Sequence, residues 1–331
     1  MKSPKLGSSL LYLTQADVIN TGLTDMEIIE KTKITLKAHG TNEYQMPPKM
    51  ALYPVVDSFM HSMPGYVPSE GACGIKWAYC FPENGKRGLP QLSGVVVINC
   101  PETGFPLCIM DAAWITGKRT AAITAISASH LARKDTHEIG LIGAGVQGLE
   151  QLLFLPLVLP ELKTIKITDK FKDSSLRLQA IIQEKFPEIN VVVKDTKEEV
   201  VRGSQLIVSA TIVLAQPNPG VKDEWIEPGT LICPIDRNSM WEWDTFLGVD
   251  KFVIDSEEEF NFFVSAGKLP KITPKIHAQL GEIEAGLKPG RENDTERILN
   301  LNIGMGIEDV VVGKEVFDLA QQAELGILLP L

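Results

Sequence analysis

Cysteine is scarce in this chain. Cys73, Cys80, Cys100, Cys108 and Cys233 are scattered through 331 residues and form no C-x-x-C pair. An odd, dispersed set excludes a disulfide framework and a zinc knuckle, and reads as free buried thiols in a reducing cytoplasm. Long apolar runs are also missing. The most apolar stretch, 152–159, is broken by Pro156 and stopped at Pro160, short of the roughly 20 residues that span a bilayer. The opening residues Met1 to Ser9 carry two lysines with no apolar core behind them, so no secretory leader is expected. Positive charge is in deficit: 32 Lys and Arg against 42 Asp and Glu leave a net −10. That balance argues against nucleic acid and anionic membrane surfaces as partners. His39, His61, His130, His137 and His277 have no metal-ligand spacing, and no metal site is expected. No repeat or low-complexity linker is present. What is there is a 44% hydrophobic chain, long enough for two packed domains.

The first 115 residues mix short strands with one clear helix. Thr24 and Glu27 have capping-box spacing at its start, and Gly40 stands where it should stop. Met26, Ile29 and Leu36 fall at helical spacing and are expected in the core. Then come Tyr53 to Val56, a Pro64-Gly65 segment and a polar loop over 82–90. Val95–Asn99 and Leu107–Asp111 flank a Pro101-to-Gly104 turn and predict a hairpin. From about residue 120 to 305 short apolar strands alternate with helical segments. The strands expected are 138–142, 164–168, 191–193, 206–210, 231–235 and 252–255. Such alternation means an α/β fold with a doubly wound parallel sheet. The acidic run Asp255 to Glu259 reads as a solvated helix start. The stretch 307–322 reads as an amphipathic helix that returns to the first domain, since the parallel strands are then used up.

The strand 138–142 runs into Gly143-Ala144-Gly145-Val146-Gln147-Gly148 and then a helix. This is the dinucleotide-binding fingerprint in the context it requires. Gly143 permits the tight turn, Gly145 admits a pyrophosphate against the backbone, and Gly148 lets helix and sheet pack closely. The helix N-terminus offers unpaired N–H groups and a partial positive charge to phosphate. Asp169 closes the next strand, where a carboxylate accepts from ribose hydroxyls and repels a 2′-phosphate. NAD(H) is therefore expected, with NADP(H) less favoured; Lys170 and Lys172 stand close by.

Several motifs occur in one order: Met63-Pro64-Gly65-Tyr66, Lys76, Gly88-Leu89-Pro90, Thr103-Gly104, Met110-Asp111, Ile115 to Ala122 (ITGKRTAA), the glycine loop, and Gly304-Met305-Gly306-Ile307-Glu308-Asp309. Together they resemble the ornithine cyclodeaminase/μ-crystallin family, over most of the chain. The resemblance implies a homodimer with two parts. One is an α+β substrate-binding and dimerisation domain, residues 1–118 with a C-terminal return at 308–331. The other is a Rossmann NAD-binding domain, residues 119–307. It also implies hydride transfer between nicotinamide and the α-carbon of an amino or cyclic imino acid.

Three basic positions match the family's substrate site: Lys49, where an arginine is usual, Lys76 and Arg119. A guanidinium fork suits a bidentate carboxylate. Read alone, Lys76 between Ile75 and Trp77 is either a solvent-facing strand residue or a buried cation able to bind a carboxylate or move a proton. Read alone, Arg119 is either a surface helix residue or a ligand. Thr120, Val146, Gln147, Ala210, Thr211 and Asn238 complete the expected cofactor-binding set with the three glycines and Asp169. Cyclodeaminases place an aspartate where this chain has Asn238, and an amide accepts no proton at neutral pH. Asp236, two residues upstream, is the candidate for proton transfer, and ornithine cyclisation is not expected. The alternative is a non-catalytic nucleotide- and ligand-binding protein, or an auxiliary subunit of another enzyme.

Overall fold

Two sheets organise the chain, one in each of its two compact units. The computed structural model describes residues 3–331; Met1 and Lys2, part of the stretch read for a leader, lie outside the described residues. One unit comprises the chain up to Arg119 together with Gly304–Leu331, and the other Thr120–Ile303. In chain order the first unit supplies β1 (Ser9–Leu13), α1 (Gln15–Asn20), α2 (Asp25–Gly40), β2 (Met50–Leu52), β3 (Phe59–Val67), β4 (Ala72–Cys80), β5 (Leu92–Asn99), β6 (Pro106–Asp111) and the start of α3 (Ala113–Leu131). The second supplies β7 (Glu138–Ile142), α4 (Val146–Phe154), β8 (Thr164–Thr168), α5 (Lys172–Lys185), β9 (Asn190–Val193), α6 (Lys197–Val201), β10 (Leu206–Ser209) and β11 (Leu231–Pro234). It continues with α7 (Trp243–Leu247), β12 (Lys251–Ile254), α8 (Glu257–Ser265), β13 (Ile276–Gln279), α9 (Leu280–Glu284) and β14 (Ile298–Leu301). The chain then closes the first unit with α10 (Gly306–Gln322) and β15 (Ile327–Pro330).

Among the described residues the first sheet runs β15-β1-β6-β5-β4-β3-β2. It is antiparallel except where β1 pairs parallel with β6. The expected hairpin is β5–β6, its turn closed by Gly104 N donating to Cys100 O at 2.8 Å. Pro64-Gly65 lies inside β3, and the polar loop contains a 3₁₀ turn, Pro82–Arg87. The capping box of α2 forms as expected. Met26, however, is 46% exposed, whereas Ile29 and Leu36 are fully buried. The buried stripe follows Ile28, Thr32, Thr35 and His39, and Met26 is turned about 200° from Ile28.

α10 lies against β3, β4, β5 and α2. Its first half is buried on all sides, from Gly306 through Gly313, so it is not the amphipathic helix expected there. Small residues allow this. A Cβ on Gly65 would stand 2.8 Å from Ile307 N, and one on Gly306 would stand 2.6 Å from Pro64 O. The Met63–Tyr66 and Gly304–Asp309 motifs are thus two halves of one close backbone contact.

The second sheet is parallel throughout, in the order β13-β12-β14-β11-β10-β7-β8-β9. Two strands beyond the six expected complete it: β14 lies between β12 and β11, and β13 forms the edge beside β12. Each is four residues long and carries polar residues, Ile-His-Ala-Gln and Ile-Leu-Asn-Leu, too little for an apolar-run signal. Strand order reverses between β7 and β10, which makes a switch-point crevice at their carboxyl ends. Trp241, Phe246, Phe252 and Phe260 pack in the core below it with Ile142, Ile207 and Ile232. The acidic run before α8 is only half solvated. Asp255 and Glu259 are buried, while Glu257 and Glu258 are exposed, and Ser256 caps the helix by accepting from Glu259 N.

Candidate active site

The pleat of β4 decides the fate of Lys76. Trp77 faces outward at 37% exposure, so Lys76 points to the covered face and is 2% exposed. There its Nζ stands 2.7 Å from Asp309 Oδ2 and donates to Thr116 Oγ1 at 3.4 Å. Arg119, from the second turn of α3, spreads its fork over the same helix start. Nε donates to Asp309 Oδ1 at 3.0 Å, and Nη1 donates to Glu308 Oε2 at 2.8 Å. Lys49 donates to the Gly304 carbonyl at 2.8 Å. Gly304 has φ +94° and packs beneath the guanidinium, where a Cβ would be 3.0 Å from Nη1. The structure thus brings together the three basic residues singled out from the sequence, all buried.

Glu308 and Asp309 are wholly buried in the first turn of α10, where the helix dipole favours negative charge. The five side chains gather three cations against two carboxylates. Burial lowers the Lys76 pKa to about 8, with the nearby charges of Arg119 and Lys49 adding to the fall and Asp309 opposing it. A buried lysine repelled by two cations is stabilised by any further anion. In the sequence Glu308 and Asp309 stand out only as part of a motif. The signal that marks them is chemical: two adjacent acids inside an otherwise apolar helix segment need buried cationic partners.

In the second unit the glycine loop is built for close approach. Gly143 has φ +105°, and a Cβ on it would stand 2.6 Å from Ala210 O. A Cβ on Gly148 would stand 2.1 Å from Gly143 O. At Gly145 a Cβ would meet nothing within 4 Å. The protein's own packing therefore demands the outer two glycines and makes no demand for the middle one. Gly145 is the N-cap of α4 and supplies no side-chain cap, Val146 beside it is 72% exposed, and Gln147 is half-buried. An uncapped helix start with an open cradle fits a pyrophosphate. Asp169 anchors the loop: Oδ2 accepts from Ala144 N at 2.7 Å and Oδ1 from Phe171 N at 2.8 Å. Each oxygen keeps a further lone pair for a ribose hydroxyl.

Ala210 and Thr211 form the opposite wall of the switch point. Asp236 holds them from behind and is wholly buried. Its Oδ1 accepts from Ser209 Oγ at 2.5 Å, and its Oδ2 accepts from Thr211 N at 3.3 Å and from the Thr211 hydroxyl. Trp241 Nε1 donates to Ser209 Oγ at 2.7 Å, completing the clamp. Burial raises the Asp236 pKa to about 6 against the pull of these hydrogen bonds. Asn238 is half-buried in the turn that follows, its carbonyl accepting from Trp241 N. Thr120 is half-buried on α3, its carbonyl accepting from Thr124. Among the described residues no group of His, Cys, Asp or Glu could hold a metal ion, no helix is long and apolar enough to cross a membrane, and all five cysteines are free thiols. Cys73, Cys80 and Cys100 are only partly buried.

Comparison with known proteins gives the family and the fold. The model of the ornithine cyclodeaminase/mu-crystallin family matches residues 11–324. The chain is 30% identical to the N-((2S)-2-amino-2-carboxyethyl)-L-glutamate dehydrogenase of Staphylococcus aureus, covering 98% of this chain and 100% of that protein. An archaeal alanine dehydrogenase, solved as a dimer with bound NAD, superposes with a TM-score of 0.86 at 31% identity, covering 97% of this chain and 99% of that one. The Δ(1)-pyrroline-2-carboxylate reductase of Thermococcus litoralis, solved with NADH and L-proline, also gives a TM-score of 0.86, at 27% identity over 96% of this chain and 99% of that one. With its motifs interlocked as described and the match running nearly end to end, the chain belongs to the ornithine cyclodeaminase/mu-crystallin family.

Proposed function

We propose that this protein is an NAD(H)-dependent oxidoreductase acting at the α-carbon of an amino acid or cyclic imino acid. The observation that carries the reading is the buried convergence of Lys49, Lys76 and Arg119 on one helix start. An α-carboxylate beside Lys76 and Arg119 offsets the repulsion that lowers the lysine pKa. Arg119 orients that carboxylate through its fork, and Lys49 holds the Gly304 turn against it. Near pH 8 Lys76 also exchanges a proton readily, which suits it to protonating a substrate nitrogen or oxygen.

Gly143, Gly145, Val146, Gln147 and Gly148 bind the cofactor pyrophosphate, and Asp169 the adenosine ribose, favouring NAD(H). Ala210, Thr211, Asn238 and Thr120 complete that site. Nicotinamide supplies hydride chemistry when bound; the chain supplies position and charge. Relatives described as alanine dehydrogenase and as Δ(1)-pyrroline-2-carboxylate reductase, together with the Thermococcus litoralis reductase solved with NADH and L-proline, support this reading. Asp236, enclosed and doubly engaged, serves as the clamp behind Thr211 and moves no substrate proton.

A homodimer accompanies the reading. Tyr12, Ile109, Val97 and Ile75 line up in register across β1, β6, β5 and β4, flanked by Trp77 and Val95, on the face not covered by α10. An apolar row of that length is best covered by a second copy of the chain, as the dimeric alanine dehydrogenase suggests.

The test is steady-state oxidation of NADH with a panel of α-keto acids plus ammonia or amines, and cyclic imino acids. Turnover with at least one member is expected; inertness toward all would favour a ligand-binding protein without turnover. Asn238 is the observation on that side, since its neutral amide stands where cyclodeaminases carry a carboxylate.

A further inference from the structure

The face of the first sheet that carries Lys76 holds a further basic side chain, His61. Met63 of β3 pairs in register with Lys76 of β4, and the pleat carries His61, two residues earlier, to the same face. His61 is buried. Its neighbours across the sheet are short: Ala51, His61, Ala78 and Gly94 lie side by side on β2, β3, β4 and β5. The imidazole is therefore the one side chain of its row that can do polar chemistry. Phe59 stacks on the ring, with centroids 4.2 Å apart and planes inclined by 17°. With one ring face covered, the nitrogens on the ring edge are what the side chain offers. Diagonal neighbours on paired strands stand about 7–8 Å apart, so one small molecule can reach both His61 and Lys76.

Charge balance narrows the substrate. Lys49, Lys76 and Arg119 stand against Glu308 and Asp309, and both acids are engaged, Glu308 by Arg119 and Asp309 by Arg119 and Lys76. One positive charge is left over. An amino acid with an uncharged side chain is a zwitterion at neutral pH and leaves that surplus standing. A diamino acid carries a net positive charge and adds to it. An amino acid with a second carboxylate carries a net negative charge and cancels it. We propose that the substrate is an amino or imino acid with a carboxylate on its side chain, and that His61 is the specificity residue that selects it. Lys76 and Arg119 take the α-carboxylate, and His61 donates a ring N–H to the second carboxylate. An amide in place of that carboxylate accepts the same hydrogen bond but leaves the charge uncancelled. The proposal deepens the α-carbon oxidoreductase reading and rests on it.

Calorimetric titrations of the whole protein at neutral pH, with NADH present, test it. Two isosteric pairs are compared, L-aspartate with L-asparagine and L-glutamate with L-glutamine, together with L-ornithine. In at least one pair the acid is expected to bind the wild type about tenfold more tightly than its amide, the scale of exchanging a neutral hydrogen bond for a charge-assisted one. L-Ornithine is expected to bind most weakly. His61→Leu is expected to bring acid and amide to within about twofold of each other, and His61→Gln, which keeps a neutral N–H donor, to fall between. The wild-type comparison needs no variant and stands even if a variant fails to fold. Equal affinity within both pairs, or a tighter amide, overturns the proposal. So does a folded His61→Leu that keeps the full preference, or one that weakens acid and amide alike, as a histidine that only fills the core would. If none of the five ligands binds, this proposal falls, and the α-carbon reading falls with it only if the NADH-oxidation panel is inert as well.

Discussion

The glycine loop of the second unit and the charge cluster of the first are built from opposite materials. The loop is six consecutive residues and works through backbone: a left-handed Gly143, an open Gly145, and a Gly148 pressed on the Gly143 carbonyl. The cluster draws side chains from β4, α3, α10 and the segment before β2, more than 250 positions apart in the case of Lys49 and Gly304. One holds partial charges that cost little to maintain. The other holds five formal charges out of water, three cations against two carboxylates, and its stability depends on their pairing. A backbone site of this kind tolerates losing its ligand; a buried ionic site is coupled to the stability of the fold that contains it.

That difference predicts unequal responses to substitution. The largest effect is expected at the acids. Asp309→Asn leaves Lys76 and Arg119 buried beside a neutral amide, and Glu308→Gln does the same to Nη1 of Arg119. Each should destabilise the protein by about 3–5 kcal/mol in urea unfolding. A loss under about 1 kcal/mol would mean that the cluster is not held by charge. Smaller and divided effects are expected in the loop. Gly148→Ala drives a methyl group against the Gly143 carbonyl and should cost about 1–3 kcal/mol of stability. Gly145→Ala meets no protein atom and should leave stability within about 0.5 kcal/mol, while weakening NADH in a fluorescence titration. If Gly145→Ala binds NADH normally, the open cradle is not a pyrophosphate site.

The gentlest probe is pH. Lys76, lowered to about 8 by burial and its cationic neighbours, is an ammonium below that pH and a neutral amine above it. The ammonium form is the one that attracts a carboxylate. Affinity for a substrate-like carboxylate should therefore hold below pH 8 and fall above it, by up to about tenfold per pH unit, while NADH affinity stays level across the same range. Parallel falls for both ligands would show a general loss of structure in place of one titrating lysine.

The contrast also decides which features are legible in the sequence. The Rossmann sheet, the glycine loop and Asp169 announce themselves locally, through a strand, a turn and a helix in sequence. The short strands β13 and β14 did not, since four residues with a histidine or asparagine among them carry no run. Lys76 and Arg119 were found through resemblance; alone, a lysine on a strand reads as solvated, and only the covering α10 makes it buried. Glu308 and Asp309 escaped because their partners lie about 190 positions or more away. Asp236 shows the limit from the other side. Its proximity in sequence to Asn238 suggested proton transfer, whereas its carboxylate is enclosed by Ser209 and Thr211.

The central claim is that hydride passes between NAD(H) and the α-carbon of an amino or imino acid. NADH carrying deuterium at the transferred position, incubated with the enzyme and the best substrate of the panel, tests it directly by mass spectrometry and NMR of the product. The account predicts one deuterium per product molecule, bound at the α-carbon. Product without deuterium there, or deuterium at another carbon, would contradict it.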